Sequence, residues 1–147
     1  MEKVYEVLRI RQEVLEVKEK KEYKVSTPED ASRIASFFIG DEDREVFFVM
    51  CLNTKNTIVA VHRCHVGSLN ASIVHPREVF KSAILNNAAS IIVSHQHPSQ
   101  NVSPSKEDLQ VTKRLIEAGR IIGIEVLDHV IVSAGETYYS LKENGDM

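Results

Sequence analysis

The stretch Ser90-Ile91-Ile92-Val93-Ser94-His95-Gln96-His97-Pro98 decides how the chain folds and where its chemistry sits. Its first five residues are short and apolar at the centre, the pattern of a strand buried on both faces, so a strand is expected over 90–94. Strands covered on both faces belong to α/β sheets with helices on either side. In such sheets, ligand sites sit where a strand gives way to a loop at its C-terminal end. His95 and His97 stand at that place. In extended backbone, residues two apart point the same way, so one metal ion can reach both imidazoles.

Working forward, the loop of residues 98–103 leads to a helix expected over 104–118, with Gly119 as its stop and Asp108 in its first turn. The loop can fold Asp108 back towards the histidines. Two imidazoles and one carboxylate suit a catalytic Zn²⁺ with one position left for water, whose pKa falls to about 7. His95, His97 and Asp108 are therefore the candidate metal ligands, and they point to a metal-dependent hydrolase. Ser105 and Asp108 have the spacing of a capping box, but Ser103 before Pro104 can cap equally well. If Ser103 caps, Ser105 is free to donate to the oxyanion of a tetrahedral intermediate. Hydrolysis also needs a proton acceptor, and a carboxylate is the usual one. Glu45, at the start of an apolar run, is the leading candidate, with Glu78 and then Glu107 behind it. His62, His65 and His129 are expected to be non-ligands, and His75 before Pro76 is expected to bond backbone at a helix start.

Working backward, Thr27-Pro28-Glu29-Asp30 opens a helix: Thr27 caps, Pro28 fits the first position, and Asp30 sits in the positive first turn. Gly40 ends it. Strands are expected over 45–52, 57–66 and 69–74, then a helix from Pro76. Closing strands are expected over 124–132 and 137–141, with a frayed tail over 142–147. The fold class is therefore α/β, a mixed β-sheet flanked by helices. Residues 1–24 are charge-rich and read as an N-terminal extension packing on a domain over 25–147.

Composition narrows the function. At 147 residues, 43% of them hydrophobic, the chain is one domain with a real core. A net charge of -3 lacks the Lys and Arg excess of a strong nucleic-acid footprint, so DNA association has no support from charge. No apolar run approaches the roughly 20 residues of a membrane span. Two isolated cysteines, Cys51 and Cys64, form no disulfide framework, and with no signal-peptide pattern a cytoplasmic location is expected.

The order Glu, then HxHP, then Ser-x-x-Asp resembles the metalloprotease motif of JAB/MPN (JAMM) domains. VHPREVF over 74–80, SHQHPS over 94–99 and PSKEDLQVT over 104–112 resemble the RadC-like branch, a likeness covering residues 25–141. The resemblance implies a cytidine-deaminase-like JAB/MPN fold and one Zn²⁺ held by His95, His97 and Asp108. It also implies Glu45 as the base and Ser105 as oxyanion support. JAMM relatives cleave peptide or isopeptide bonds, which makes such a bond the expected substrate; the motif does not name it. The alternative is an accessory protein of DNA repair or of a mobile element, with a vestigial or structural zinc. Longer RadC proteins carry an N-terminal helix-hairpin-helix module, for which these 147 residues are expected to leave no room. Two residues depart from the RadC pattern: Gln96 replaces the usual Asn, and Gln100 replaces a Gly whose backbone angles Gln reaches only at a cost.

Overall fold

The computed structural model describes residues 1–19, 23–70 and 72–147. The elements are α1 (Pro28–Ile39), β1 (Val46–Leu52), β2 (Ile58–Val66), α2 (Pro76–Leu85), β3 (Ser90–Gln96), α3 (Lys106–Ile122), β4 (Glu125–Val132) and β5 (Tyr138–Ser140). The five strands form one mixed sheet in the order β2-β1-β3-β4-β5. Among the described residues only β3 and β4 run parallel, joined by α3, while β1 is antiparallel to both β2 and β3, and β5 is antiparallel to β4. The expected α/β architecture is the one observed.

Alternation along the strands sends side chains to two cores. Phe47, Val49 and Cys51 of β1, with Ile91 and Val93 of β3, pack with Val79 and Phe80 of α2 and with Val111 and Leu115 of α3. Phe48, Met50 and Leu52, with Ile92, pack with Ala31, Ile34 and Ala35 of α1. The sheet thus lies between α1 on one face and α2 with α3 on the other. Phe47, Phe48 and Phe80 are almost wholly buried, each contributing about 1.5–3 kcal/mol.

Helix α1 starts as its sequence dictates: the Asp30 N–H donates to Thr27 Oγ1 at 3.2 Å, and Asp30 Oδ2 accepts from the Thr27 N–H at 3.1 Å. Helix α2 is capped by His75, whose Nδ1 accepts from the Arg77 N–H at 3.1 Å.

Three details differ from the expectations above. Gly119 does not stop α3: the helix runs on to Ile122 and ends at Gly123 in the left-handed region, φ 85°. Gly119 is instead a close-approach residue, since a Cβ there would lie 2.5 Å from the Ile124 carbonyl oxygen. No strand forms over the described part of 69–74, because Asn70 Oδ1 accepts from the Ser72 and Ile73 N–H groups and closes a turn; residue 71 lies outside the described residues. The tail does not fray: the Asp146 N–H donates to the Leu141 carbonyl, the Tyr139 hydroxyl bonds the Asp146 carboxylate, and Met147 packs on the core.

Of the N-terminal segment, Tyr23 to Val25 lie against the start of β2, with a bridge from Lys24 to Thr57. Residues 1–19 form no helix or strand and are exposed, and Gln12 exchanges hydrogen bonds with Asn86. Residues 20–22 lie outside the described residues. No helix among the described residues is long and apolar enough to cross a membrane.

Candidate metal centre

Strand β3 extends two residues past the expected end, carrying His95 and Gln96 in the sheet and His97 at its edge. The period of two puts His95 and His97 on the face covered by α3, and Gln96 on the opposite face. Helix α3 begins just beyond the loop and aims its first turn at the histidines.

Its N-cap is Ser105, not Ser103. Ser105 Oγ accepts from the Asp108 N–H at 3.1 Å, and Asp108 Oδ2 accepts from the Ser105 N–H at 2.7 Å. This capping box fixes the Asp108 carboxylate, which is 1% exposed. Oδ1 lies 3.0 Å from His95 Nε2, and Oδ2 lies 3.2 Å from His97 Nε2. The two Nε2 atoms are 3.1 Å apart. Four donor atoms from positions 95, 97 and 108 thus meet at one point.

The far nitrogen of each imidazole is engaged elsewhere. His97 Nδ1 contacts the Asn101 carbonyl at 2.6 Å. His95 Nδ1 contacts His129 Nε2 at 2.7 Å. His129 Nδ1 in turn contacts Thr112 Oγ1, which donates to the Asp108 carbonyl at 2.8 Å. Phe47 stacks on the His95 ring, with centroids 6.5 Å apart, and meets the His129 ring edge-on.

Electrostatics follow from these contacts. Burial opposes the Asp108 charge, but hydrogen bonds from His95 and His97 outweigh it and hold the carboxyl far below the ordinary aspartate range. The Asp108 hydrogen bond raises the His97 pKa against partial burial. Complete burial, with His95 beside it, pushes His129 well below the ordinary histidine value, so this ring is neutral.

Glu45 sits one residue before β1, half-buried. A carboxylate oxygen of Glu45 and one ring nitrogen each of His95 and His97 all lie within 4.8 Å of one another. Glu45 Oε2 accepts from the Leu69 N–H at 3.3 Å. Either carboxylate can therefore complete a three-ligand set with the histidines. Asp108 is the tighter fit, with both oxygens at 3.0–3.2 Å from a ring nitrogen. The rival glutamates are placed otherwise: Glu78 is exposed and ion-paired with Lys81 at 2.8 Å, and Glu107 is exposed on α3.

The donor set suits zinc. Separations of 3.0–3.2 Å are close to the ~3.3 Å edge of a tetrahedron with ~2.0–2.1 Å bonds. Both imidazoles offer Nε2 with Nδ1 already partnered, as metal-ligating histidines do.

Both departures from the RadC pattern have structural work. Gln96 is fully buried; its Oε1 accepts from the Val46 N–H at 2.9 Å, and its Nε2 donates to the Glu42 and Arg44 carbonyls. Gln100 takes the left-handed conformation, φ 68°, and secures it: Oε1 accepts from the Ala134 N–H at 2.6 Å, and Nε2 donates to the Gly40 carbonyl at 3.3 Å.

His129 is the site residue that sequence reasoning missed. Expected to stand apart from the site, it touches His95. A histidine followed at once by the apolar Val130, Ile131 and Val132 in β4 needs a buried partner, and that was its signal. A surface depression of about 610 Å³ lies at the opposite end of β3 and β4, bordered by Ala89, Gly123, Glu125 and Met147, away from this centre.

Comparison with known proteins matches residues 25–146 to the family model described as RadC-like JAB domain. A UPF0758 protein of Rubrobacter xylanophilus is 54% identical over 121 residues, covering 82% of this chain and 52% of the relative. One of Caldanaerobacter subterraneus is 52% identical over 123 residues, covering 84% of this chain and 52% of the relative. One of Methanosarcina barkeri is 48% identical over 122 residues, covering 83% of this chain and 53% of the relative. The chain spans about half the length of the curated relatives it matches.

Proposed function

Since this chain belongs to the RadC-like JAB domain family, we propose that it is a zinc-dependent hydrolase of peptide or isopeptide bonds. Support comes from the meeting of His95 Nε2, His97 Nε2 and the Asp108 carboxylate within 3.0–3.2 Å, with Glu45 beside them. His95, His97 and Asp108 hold the ion. Bound there, zinc supplies Lewis acidity towards the scissile carbonyl and brings the pKa of water to about 7.

The remaining roles belong to side chains. Glu45 accepts a proton from the attacking water and returns it to the leaving amine, which completes acid–base catalysis with one carboxylate. The Leu69 N–H orients that carboxylate through Oε2. Ser105 Oγ accepts from the Asp108 N–H, and its own hydrogen is left to donate to the developing oxyanion. Asp108 keeps its charge chiefly through His95 and His97, with the Ser105 N–H adding to them.

The test combines elemental analysis with cleavage of a peptide mixture made by digesting whole-cell protein, supplemented with lysine-isopeptide-linked peptides. The expected result is one zinc per chain and new amino termini with the wild type. Glu45→Gln should keep zinc and release none. A wild type that takes up no zinc, or a Glu45→Gln variant that cleaves at the wild-type rate, would overturn the reading.

A further inference from the structure

We propose that residues 4–18 pair with the same residues of a second copy of this chain, as a short parallel two-helix coiled coil. The pairing is independent of the metal centre and of the proposed hydrolase.

The starting observation is an apolar surface without cover. Val7, Ile10, Val14 and Val17 are 72%, 73%, 79% and 42% exposed, and Val4, Leu8 and Leu15 are exposed as well. They precede residues 25–146, which match the family model, and none of them belongs to either core. So many large apolar side chains held in water on one short segment mark a surface that takes a partner.

Their spacing says what the partner is. Val7, Ile10, Val14 and Val17 follow one another at three, four and three residues, the a and d positions of a heptad. The e and g positions beside that seam are Glu6, Arg11, Glu13 and Lys18. In a parallel pair, each g residue faces the next e residue of the other helix. Glu6 then meets Arg11 of the second copy, and Glu13 meets Lys18 of the second copy, each pair occurring twice by symmetry. An antiparallel pair would set glutamate against glutamate and Arg11 against Lys18, so charge fixes the orientation. Charges on both flanks also hold the stripe to the width of a two-helix seam, since a third helix would bury them.

Alone, residues 1–19 form no helix or strand. A run this short does not hold a helix in water unaided. Pairing supplies the missing burial, so folding of the segment and association are one step.

The opposite side fits the rest of the molecule. At about 3.6 residues per turn, Gln12 falls on the face away from the seam, with Leu8 and Leu15 near it. Gln12 exchanges hydrogen bonds with Asn86 at 3.0 and 3.3 Å, and Asn86 caps α2 beside the exposed Ile84 and Leu85. A helix seated there leaves its seam facing outward.

The test is analytical sedimentation of the full chain at roughly 5–500 µM, read alongside far-UV circular dichroism. The expected result is a monomer–dimer equilibrium whose helix signal rises with the dimer fraction. Val14→Asp puts a charge in the seam and should weaken dimerisation by roughly 100-fold or more, with thermal unfolding of the domain unchanged. Glu6→Lys with Glu13→Lys should weaken it by roughly tenfold or more. Mixing that variant with Arg11→Glu, Lys18→Glu should restore it. All these positions are exposed and lie outside the sheet and its helices, so loss of fold does not confuse the result. A chain monomeric across the range, an assembly of three or more copies, a dimer without added helix, a Val14→Asp variant that dimerises like the wild type, or charge variants that pair no better mixed than alone would overturn the proposal.

Discussion

Gln96 Oε1 accepts from the Val46 N–H at 2.9 Å, so the residue between the two histidines grips the backbone next to Glu45. Its amide nitrogen holds the Arg44 carbonyl on the other side of Glu45. Gln96→Leu removes these bonds and leaves the buried Val46 N–H unpaired. A loss of about 1–3 kcal/mol is expected in urea unfolding. A variant within 0.5 kcal/mol of wild type would show that this clamp does not hold the segment.

Asp108→Asn tests the ligand set. The neutral amide keeps an acceptor for the Ser105 cap but loses the charge that faces both Nε2 atoms. Zinc affinity should fall by more than the roughly 10–100-fold typical of residues that only support a ligand. Competition with a chelating dye measures it. An affinity near wild type would instead favour Glu45 as the third ligand.

Gln100 sets strain against bonding. Its φ of 68° costs about 1 kcal/mol relative to glycine, while its side chain makes two hydrogen bonds worth about 0.5–1.5 kcal/mol each. Gln100→Ala keeps the strain and loses the bonds, so thermal unfolding should rank wild type first, Gln100→Gly second and Gln100→Ala last. Gln100→Gly melting above the wild type would mean that the bonds add little.

Asp30 gives a pH dependence. The Ser26 N–H, followed by the Thr27 N–H and hydroxyl, holds the Asp30 carboxyl below its ordinary value of 3.8. A depressed folded-state pKa means the unfolded chain binds the proton more tightly, so stability falls as pH drops. The contribution is full above about pH 5 and fades from near pH 4 downward. The stability gap between wild type and Asp30→Asn should follow that window, seen by unfolding at several pH values. Thr27→Ala should cost about 1 kcal/mol at neutral pH.

Gly119→Ala would gain helix propensity at most sites, by about 1 kcal/mol. Here its Cβ meets the Ile124 carbonyl at 2.5 Å, so a net loss of about 1–3 kcal/mol is expected on denaturant unfolding.

Much of this was legible in the chain because it depends on neighbours in sequence. The Thr27–Pro28–Asp30 start, the apolar β3 and the Ser105–Asp108 spacing act within one helix turn or one strand. His129 was not, because its contact with His95 exists only once β3 and β4 pair in register, 34 residues apart. The extent of α3 was misread because Gly119 is demanded by a neighbouring backbone, a pressure that looks the same in sequence as a cap. The absent strand over 69–74 lost to the Asn70 turn, a local bond that composition alone does not rank.

His95, His97, Asp108, Thr112 and His129 all lie within residues 90–132, one strand-helix-strand unit, whereas Glu45 arrives from outside it across the sheet. Under the proposed roles, grip on the ion and handling of the proton reside on separable pieces of the chain. Loosening the short connection between α1 and β1 would silence turnover while the ion stayed in its seat, giving a protein that is loaded and idle until something presses that connection home.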